Sequence, residues 1–197
     1  MSALNPDVQD VQDMSRLAAG HDAALSELMD RHAEKLFHYL VRSLQNEEDA
    51  ADVAQETFAK VYQSRTRFDK NQNFSTWIYA IASNLVRDRY RWRSRHPQVS
   101  LDAESDVTGD SFRNNVPSQD PTPSDGLQRA ERGEAVRRAV DALPEELCQT
   151  FILAEYEERS HAEIGEILGC SAKAVETRIY RARKQLRTML IPLLQEG

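Results

Sequence analysis

Between Ser171 and Arg187 six basic side chains (Lys173, Arg178, Arg181, Arg183, Lys184, Arg187) stand against one acid, Glu176. Val175, Ile179, Ala182 and Leu186 recur at helical spacing and predict an inward stripe. That stripe leaves Lys173, Glu176, Thr177, Tyr180, Arg181 and Lys184 on or beside the outward face. Such a set suits phosphates and base edges in a major groove. Upstream, Ser160-His161-Ala162-Glu163 has the pattern of a capping box and opens a short helix with Ile164, Ile167 and Leu168 inward. Gly169-Cys170-Ser171 is a tight turn, with Ser171 capping the basic helix. Short helix, turn and longer basic helix make a helix-turn-helix. The bland alternative is a helical hairpin with a solvated basic face.

A second cluster runs from Phe68 to Arg95. It holds Phe68, Phe74, Trp77, Tyr79, Tyr90 and Trp92, six of the chain's 14 aromatic residues, beside Asn71 and Asn73. Arg87, Arg89, Arg91, Arg93 and Arg95 follow, with Asp88 among them. Rings interleaved with cations suit unstacked bases, at about 1–3 kcal/mol per stacked base. Arginines at every second position spread around a helix, so some must pair with acids instead. Trp77 starts an apolar stripe and is expected in the core. A third cluster is acidic: Asp49, Asp52 and Glu56 lie three and four apart with Gln55 alongside, either a solvated face or a docking surface for a basic partner.

Enzyme signatures are absent. His32-Ala33-Glu34 and His161-Ala162-Glu163 match H-x-E, but no P-C-x-x-C follows. There is no P-loop, G-x-S-x-G or H-E-x-x-H. His32 on an apolar face reads as a core or boundary histidine rather than a ligand, and neither a metal nor a cofactor is expected.

Helices must position these groups. Val8, Val11, Met14 and Leu17 predict a first helix closed by Gly20. Asp22 is the expected cap of a second, with Leu25, Leu28, Met29, His32, Leu36, Leu40 and Leu44 on its apolar face. Asn46 before Glu47, Glu48 and Asp49 marks the start of a third, running to about Arg65. A fourth runs from about Ser75 to Arg93. From Pro97 to Gly126 four prolines and six acids against Arg113, without apolar periodicity, predict a flexible linker. Fully extended it would reach about 100 Å. Helices resume at about Leu127, and Pro144 ends one helix and is expected at the first position of the next. No strand pattern stands out.

The 197 residues carry a net charge of -7. Residues 85–96 carry +4 and residues 171–187 carry +5, so the rest of the chain holds -16. An acidic body with two compact basic segments fits two separate anion-binding faces. Cys148 and Cys170 have no CxxC partner and read as small hydrophobes in a reducing cytoplasm. The N-terminus lacks a signal-peptide pattern, and no run of about 18 apolar residues spans a membrane.

Three motifs resemble those of the bacterial sigma factors. Asp49-Ala50-Ala51-Asp52-Val53-Ala54-Gln55-Glu56-Thr57-Phe58 is similar to D-A-x-D-x-x-Q-E-x-F of region 2.2. Phe74-Ser75-Thr76-Trp77-Ile78-Tyr79-Ala80-Ile81-Ala82-Ser83-Asn84 resembles F-x-x-W-L-x-x-I-A-x-N of regions 2.3–2.4. Leu143-Pro144 and the runs Ile164 to Ser171 and Val175 to Arg183 resemble region 4. Joining region 2 directly to region 4 resembles the extracytoplasmic-function (ECF) group.

The resemblance implies an all-α protein: a four-helix region 2 domain (1–96), a flexible acidic linker (97–126) and a helix-turn-helix region 4 domain (127–197). It implies a promoter-specificity subunit, not an enzyme, serving stress- or signal-dependent promoters. Asp49, Asp52, Gln55 and Glu56 would dock on the β′ clamp coiled coil of core RNA polymerase, and region 4 would touch the β flap. Asn71, Asn73, Phe74, Ser75, Asn84, Arg87 and Arg91 would hold the melted minus-ten element. Lys173, Glu176, Thr177, Arg178, Tyr180, Arg181 and Lys184 would read the minus-thirty-five duplex. An anti-sigma protein is the further implied partner. Gly165 stands where Ala is usual, at an expected cost of up to about 1 kcal/mol in helix stability. The competing reading is a two-domain helix-turn-helix regulator that binds DNA without polymerase.

Overall fold

The computed structural model describes the backbone of residues 6–96 and 123–195, and the side chains of 7–96 and 132–191. These residues form eight α-helices: α1 (Pro6–Ala18), α2 (Ala23–Leu44), α3 (Glu47–Gln63), α4 (Phe74–Arg95), α5 (Pro123–Asp141), α6 (Glu145–Glu155), α7 (His161–Leu168) and α8 (Ala172–Gln195). A 3-10 turn at Arg65–Arg67 follows α3. No strand occurs among the described residues, and no helix there is long and apolar enough to cross a membrane. Of the linker expected over 97–126, residues 97–122 lie outside the described residues, and 123–126 form the first turn of α5 instead.

Apolar spacing sets the packing. In the N-terminal unit, Met14 and Leu17 of α1, Leu28, Leu36, Leu40 and Leu44 of α2, Val53, Phe58 and Val61 of α3, and Ile78, Ala82 and Val86 of α4 are all buried together. Tyr39 is buried with them, and its hydroxyl meets Ser83 Oγ at 2.8 Å. In the C-terminal unit, Leu147, Ile152 and Leu153 of α6, Ile164 and Ile167 of α7, and Val175, Ile179, Ala182 and Leu186 of α8 close a second core. The two cores are contiguous. α7 packs on α4 and α6 packs on α2, so the two units are in direct contact.

Local chemistry sets the ends. Asn46 Oδ1 accepts from the Asp49 N–H at 2.8 Å and starts α3, after Gln45 turns left-handed at φ 52°. Asn73 Oδ1 accepts from the Thr76 N–H and starts α4. Ser160 and Glu163 form the reciprocal cap of α7, and Gly169 at φ 66° ends it. Three expectations shift. Asp22 makes no side-chain cap; its carboxylate accepts from Tyr62 OH at 3.1 Å and ties α2 to α3. Pro144 stands at the cap rather than at the first helical position of α6. Finally, α5 begins at Pro123 instead of about Leu127, because Pro123 suits a first helical turn, where an amide proton has no partner to lose.

Candidate nucleic-acid interface

On α8 the outward stripe is realised. Lys173, Glu176, Thr177, Tyr180, Arg181 and Lys184 are exposed, while Val175, Ile179, Ala182 and Leu186 are buried. Tyr180 is 68% exposed, among charged neighbours. Lys173 Nζ donates to Glu176 Oε2 at 2.8 Å, and that hydrogen bond holds the Glu176 carboxyl below its ordinary value. Arg178 departs from the expected set. It turns back to α6, with an ion pair to Glu146 at 2.9 Å and a contact to Cys170 Sγ at 3.5 Å. These contacts tie α8 to α6.

The turn before α8 depends on Gly165. A Cβ there would lie 2.7 Å from the carbonyl oxygen of Cys170, a clash with backbone. The glycine therefore lets the turn close onto α7, and the expected helix cost is outweighed by the approach it permits.

On α4 the exposed residues Asn84, Asp88, Arg91, Trp92 and Arg95 recur three and four apart and form one face. Trp92 is 39% exposed and stacks on His96 at 4.8 Å between ring centroids. Arg87 is half-buried; it donates to Asn84 at 2.9 Å and lies 3.6 Å from Glu145 of α6. Burial pushes the Glu145 carboxyl up, against the pull of Arg87 and Arg91. Trp92 and Arg95 extend the set expected from sequence; their i, i+3, i+4 relation to Asn84, Asp88 and Arg91 was the available signal.

The loop ahead of α4 is different. Asp69 Oδ1 accepts from both the backbone and the side-chain amide of Asn71, which is exposed. Asn73 is committed on both sides, as the cap of α4 and as a donor to Asp7 at 2.9 Å. Phe74 is 1% exposed and packs among His32, Phe68 and Trp77 at centroid distances of 5.0–6.0 Å. The expected stacking platform is therefore core: first in α4, its ring points into the bundle and leaves no face for a base. Ser75 Oγ accepts from Arg159 Nη2 at 2.5 Å and is covered by the C-terminal unit.

Behind this loop lies a buried network that anchors α1. Asp10 Oδ1 accepts from Arg31 Nε at 2.9 Å, and Oδ2 meets His32 Nε2 at 2.8 Å. Asp13 pairs with the same Arg31 at 2.6 Å. Burial pushes the Asp10 carboxyl up, but the bonds and charges of His32 and Arg31 outweigh it and hold it below its ordinary value.

The acidic helix α3 divides in two. Asp49 is half-buried and pairs with Arg93 at 2.5 Å and Arg89 at 3.6 Å; Asp52 reaches Arg89 at 3.5 Å. These pairs hold α3 on α4 and absorb two of the five arginines. Arg93 also donates to the carbonyl of Leu44, and Tyr90 to that of Ser43, which satisfies two terminal carbonyls of α2. Gln55 and Glu56 stay exposed with Ala51 and Ala59, and the contact of Glu56 is Lys60 of its own helix at 3.5 Å.

The units meet at a polar cleft of about 780 Å³ lined by Arg31, Lys35, His38, Arg42, Tyr79 and Glu157 among others. Cys148 is buried beside this seam, and burial pushes its thiol up to about 12.

Comparison with known proteins agrees with this layout. Residues 28–96 match Sigma-70 region 2, and residues 133–186 match Sigma-70, region 4. The chain is 33% identical over 178 residues to the ECF RNA polymerase sigma factor SigW of Bacillus subtilis (strain 168), covering 90% of this chain and 94% of that protein. It is 32% identical over 193 residues to the RNA polymerase sigma-H factor of Pseudomonas aeruginosa, covering 96% and 97%. Among solved structures, CnrH in complex with the cytosolic domain of CnrY superposes at a TM-score of 0.65, with 26% identity and 93% and 98% of the two chains covered. With both regions matched in order and relatives aligned over nearly their whole length, the chain belongs to the ECF family of RNA polymerase sigma factors.

Proposed function

We propose that the chain is a promoter-specificity subunit whose two helical units divide the promoter between them. The observation that carries this reading is the outward stripe of α8. A helix-turn-helix with Lys173, Thr177, Tyr180, Arg181 and Lys184 exposed together supports a major-groove reader. The minus-thirty-five duplex is assigned to this face, with Glu176 able to accept from a cytosine amino group. The melted minus-ten strand is assigned to the α4 face of Asn84, Arg87, Arg91, Trp92 and Arg95, with Asn71 and Ser75 at the start of α4. Asp52, Gln55 and Glu56 are the docking surface for the β′ clamp coiled coil, and region 4 is the contact for the β flap. Units 1–96 and 127–197 each take one promoter element; they are joined by 97–126, whose last residues are the first turn of α5. An anti-sigma protein is a proposed partner, since the similar CnrH was solved with CnrY. The cytoplasm is the proposed compartment, in keeping with two unbridged cysteines.

The test is to mix the purified chain with bacterial core polymerase and assay promoter-dependent transcription. Selective initiation supports the reading. Duplex binding without core-dependent initiation favours the polymerase-independent regulator instead.

A further inference from the structure

The α6–α7 loop joins the two units through Glu157 and Arg159, which flank Glu158. Glu157, its side chain 8% exposed, accepts from Tyr79 OH at 2.6 Å and pairs with Arg42 at 3.3 Å. Arg159 lies over the Tyr79 ring at 4.7 Å and donates to Ser75 Oγ at 2.5 Å. Between them Glu158 is exposed and held left-handed at φ 51°, one of two non-glycine residues with positive φ among those described. That backbone turn is strained for a side-chain-bearing residue. It places two oppositely charged groups on one spot of the N-terminal unit. A second clasp lies at the other end of α6, where Glu145 faces Arg87 of α4 at 3.6 Å.

These contacts cover Ser75 and hold Arg87, both within the segment assigned to the minus-ten strand. They also keep the units in contact, whereas the two promoter elements lie about 60 Å apart along DNA at roughly 3.4 Å per base pair. We propose that Glu157, Glu158 and Arg159 form an intramolecular latch: it closes the C-terminal unit over the start of α4, and its release precedes engagement of the opened strand. The masking of a DNA face rests on the proposed function; the closure itself does not.

A latch made of polar groups suits this role. Once opened, Glu157, Arg159 and Arg42 are accommodated by water. Burial pushes the Tyr79 phenol up, so it stays a donor to Glu157 throughout the working range of pH.

Two variants of the full chain test the latch. E157Q/R159A removes the charges. E158V keeps both but places a β-branched residue where φ is 51°, so the loop can no longer aim them. Small-angle X-ray scattering reads closure, circular dichroism reads folding, and fluorescence anisotropy with a labelled 20-nucleotide single-stranded DNA reads access to α4. Both variants should keep wild-type helicity and gain radius of gyration. Both should bind the oligonucleotide about fivefold more tightly, because apparent affinity scales with the open fraction. E158G, which tolerates the left-handed turn, should scatter like wild type. If E157Q/R159A loses helicity, E158V decides alone. Wild-type scattering from folded E158V overturns the latch. Expansion without tighter DNA binding upholds the latch and overturns the assignment of α4 to the opened strand.

Discussion

The carboxylate of Glu157 and the phenol of Tyr79 meet at 2.6 Å across the seam between the two helical units. They are 78 residues apart in sequence, and only Tyr79 belongs to a cluster that stands out in it. Tyr79 is buried on the apolar face of α4 beside Ile78 and Ala82, although its ring belongs to the cluster read from sequence as suited to unstacked bases. A buried phenol needs a hydrogen-bond partner, and the partner here comes from the other unit. The side chain that completes one core thus also ties the two units together.

Docking on polymerase should depend on the exposed part of α3 alone. Gln55→Ala with Glu56→Ala should weaken association with core polymerase in a light-scattering titration and leave the melting temperature unchanged. Asp49→Ala should instead lower stability by about 1.5–3 kcal/mol, since it leaves Arg93 without its carboxylate. Unchanged core affinity in the first variant would remove the docking assignment.

Phe74 and Trp92 should separate structure from stacking. Phe74→Ala should cost about 3–5 kcal/mol in urea unfolding, as for a fully buried ring. Trp92→Ala should leave stability nearly untouched and weaken binding to a pre-melted promoter bubble by about 1–3 kcal/mol. Permanganate footprinting on duplex and bubble templates would report the same difference at the level of opening.

Gly165→Ala should destabilise the C-terminal unit despite alanine's better helix propensity. The propensity gain is about 1 kcal/mol. The new methyl would lie 2.7 Å from a backbone carbonyl and must displace the turn, at a cost of about 1–3 kcal/mol. A raised melting temperature would show that the turn can give way.

Two arginines three apart on α8 should behave differently. Arg181→Ala should cost about 1–3 kcal/mol of duplex affinity and relax preference at one base position. Arg178→Ala should keep the sequence preference and lower stability by at most about 1 kcal/mol, because Glu146 is largely exposed. Selection from a randomised duplex library would distinguish them.

Asp10 should make the attachment of α1 sensitive to acid. Its carboxyl is held below the ordinary value of 3.8, so its stabilising effect is fully present above that pH. The effect is lost as pH falls through the lower folded value. Urea titrations of wild type and Asp10→Asn should therefore differ at pH 5 and converge as pH drops below 3.8. A gap that persists in acid would assign the effect to packing rather than charge.

The helical elements, their caps at Asn46 and Ser160, and the outward face of α8 were legible in the sequence, because apolar periodicity and capping are local. The motif of α3 was equally legible, since its exposed residues follow from helical spacing. What the sequence could not decide was which partner each charge would choose. Asp49 and Asp52 look like a free acidic face until α4 brings Arg89 and Arg93 alongside. Arg178 looks like a DNA contact until Glu146 of α6 claims it. Phe74 heads a loop rich in polar residues, and only the closing of four helices around it makes it core. Gly165 looks like a defect along one helix and becomes a requirement only where the Cys170 carbonyl approaches. The seam at Glu157, Tyr79, Arg159 and Ser75 is likewise tertiary, because it joins residues distant in the chain. Periodicity records which face of a helix is apolar; the identity of the opposing surface is set by how the helices meet in space.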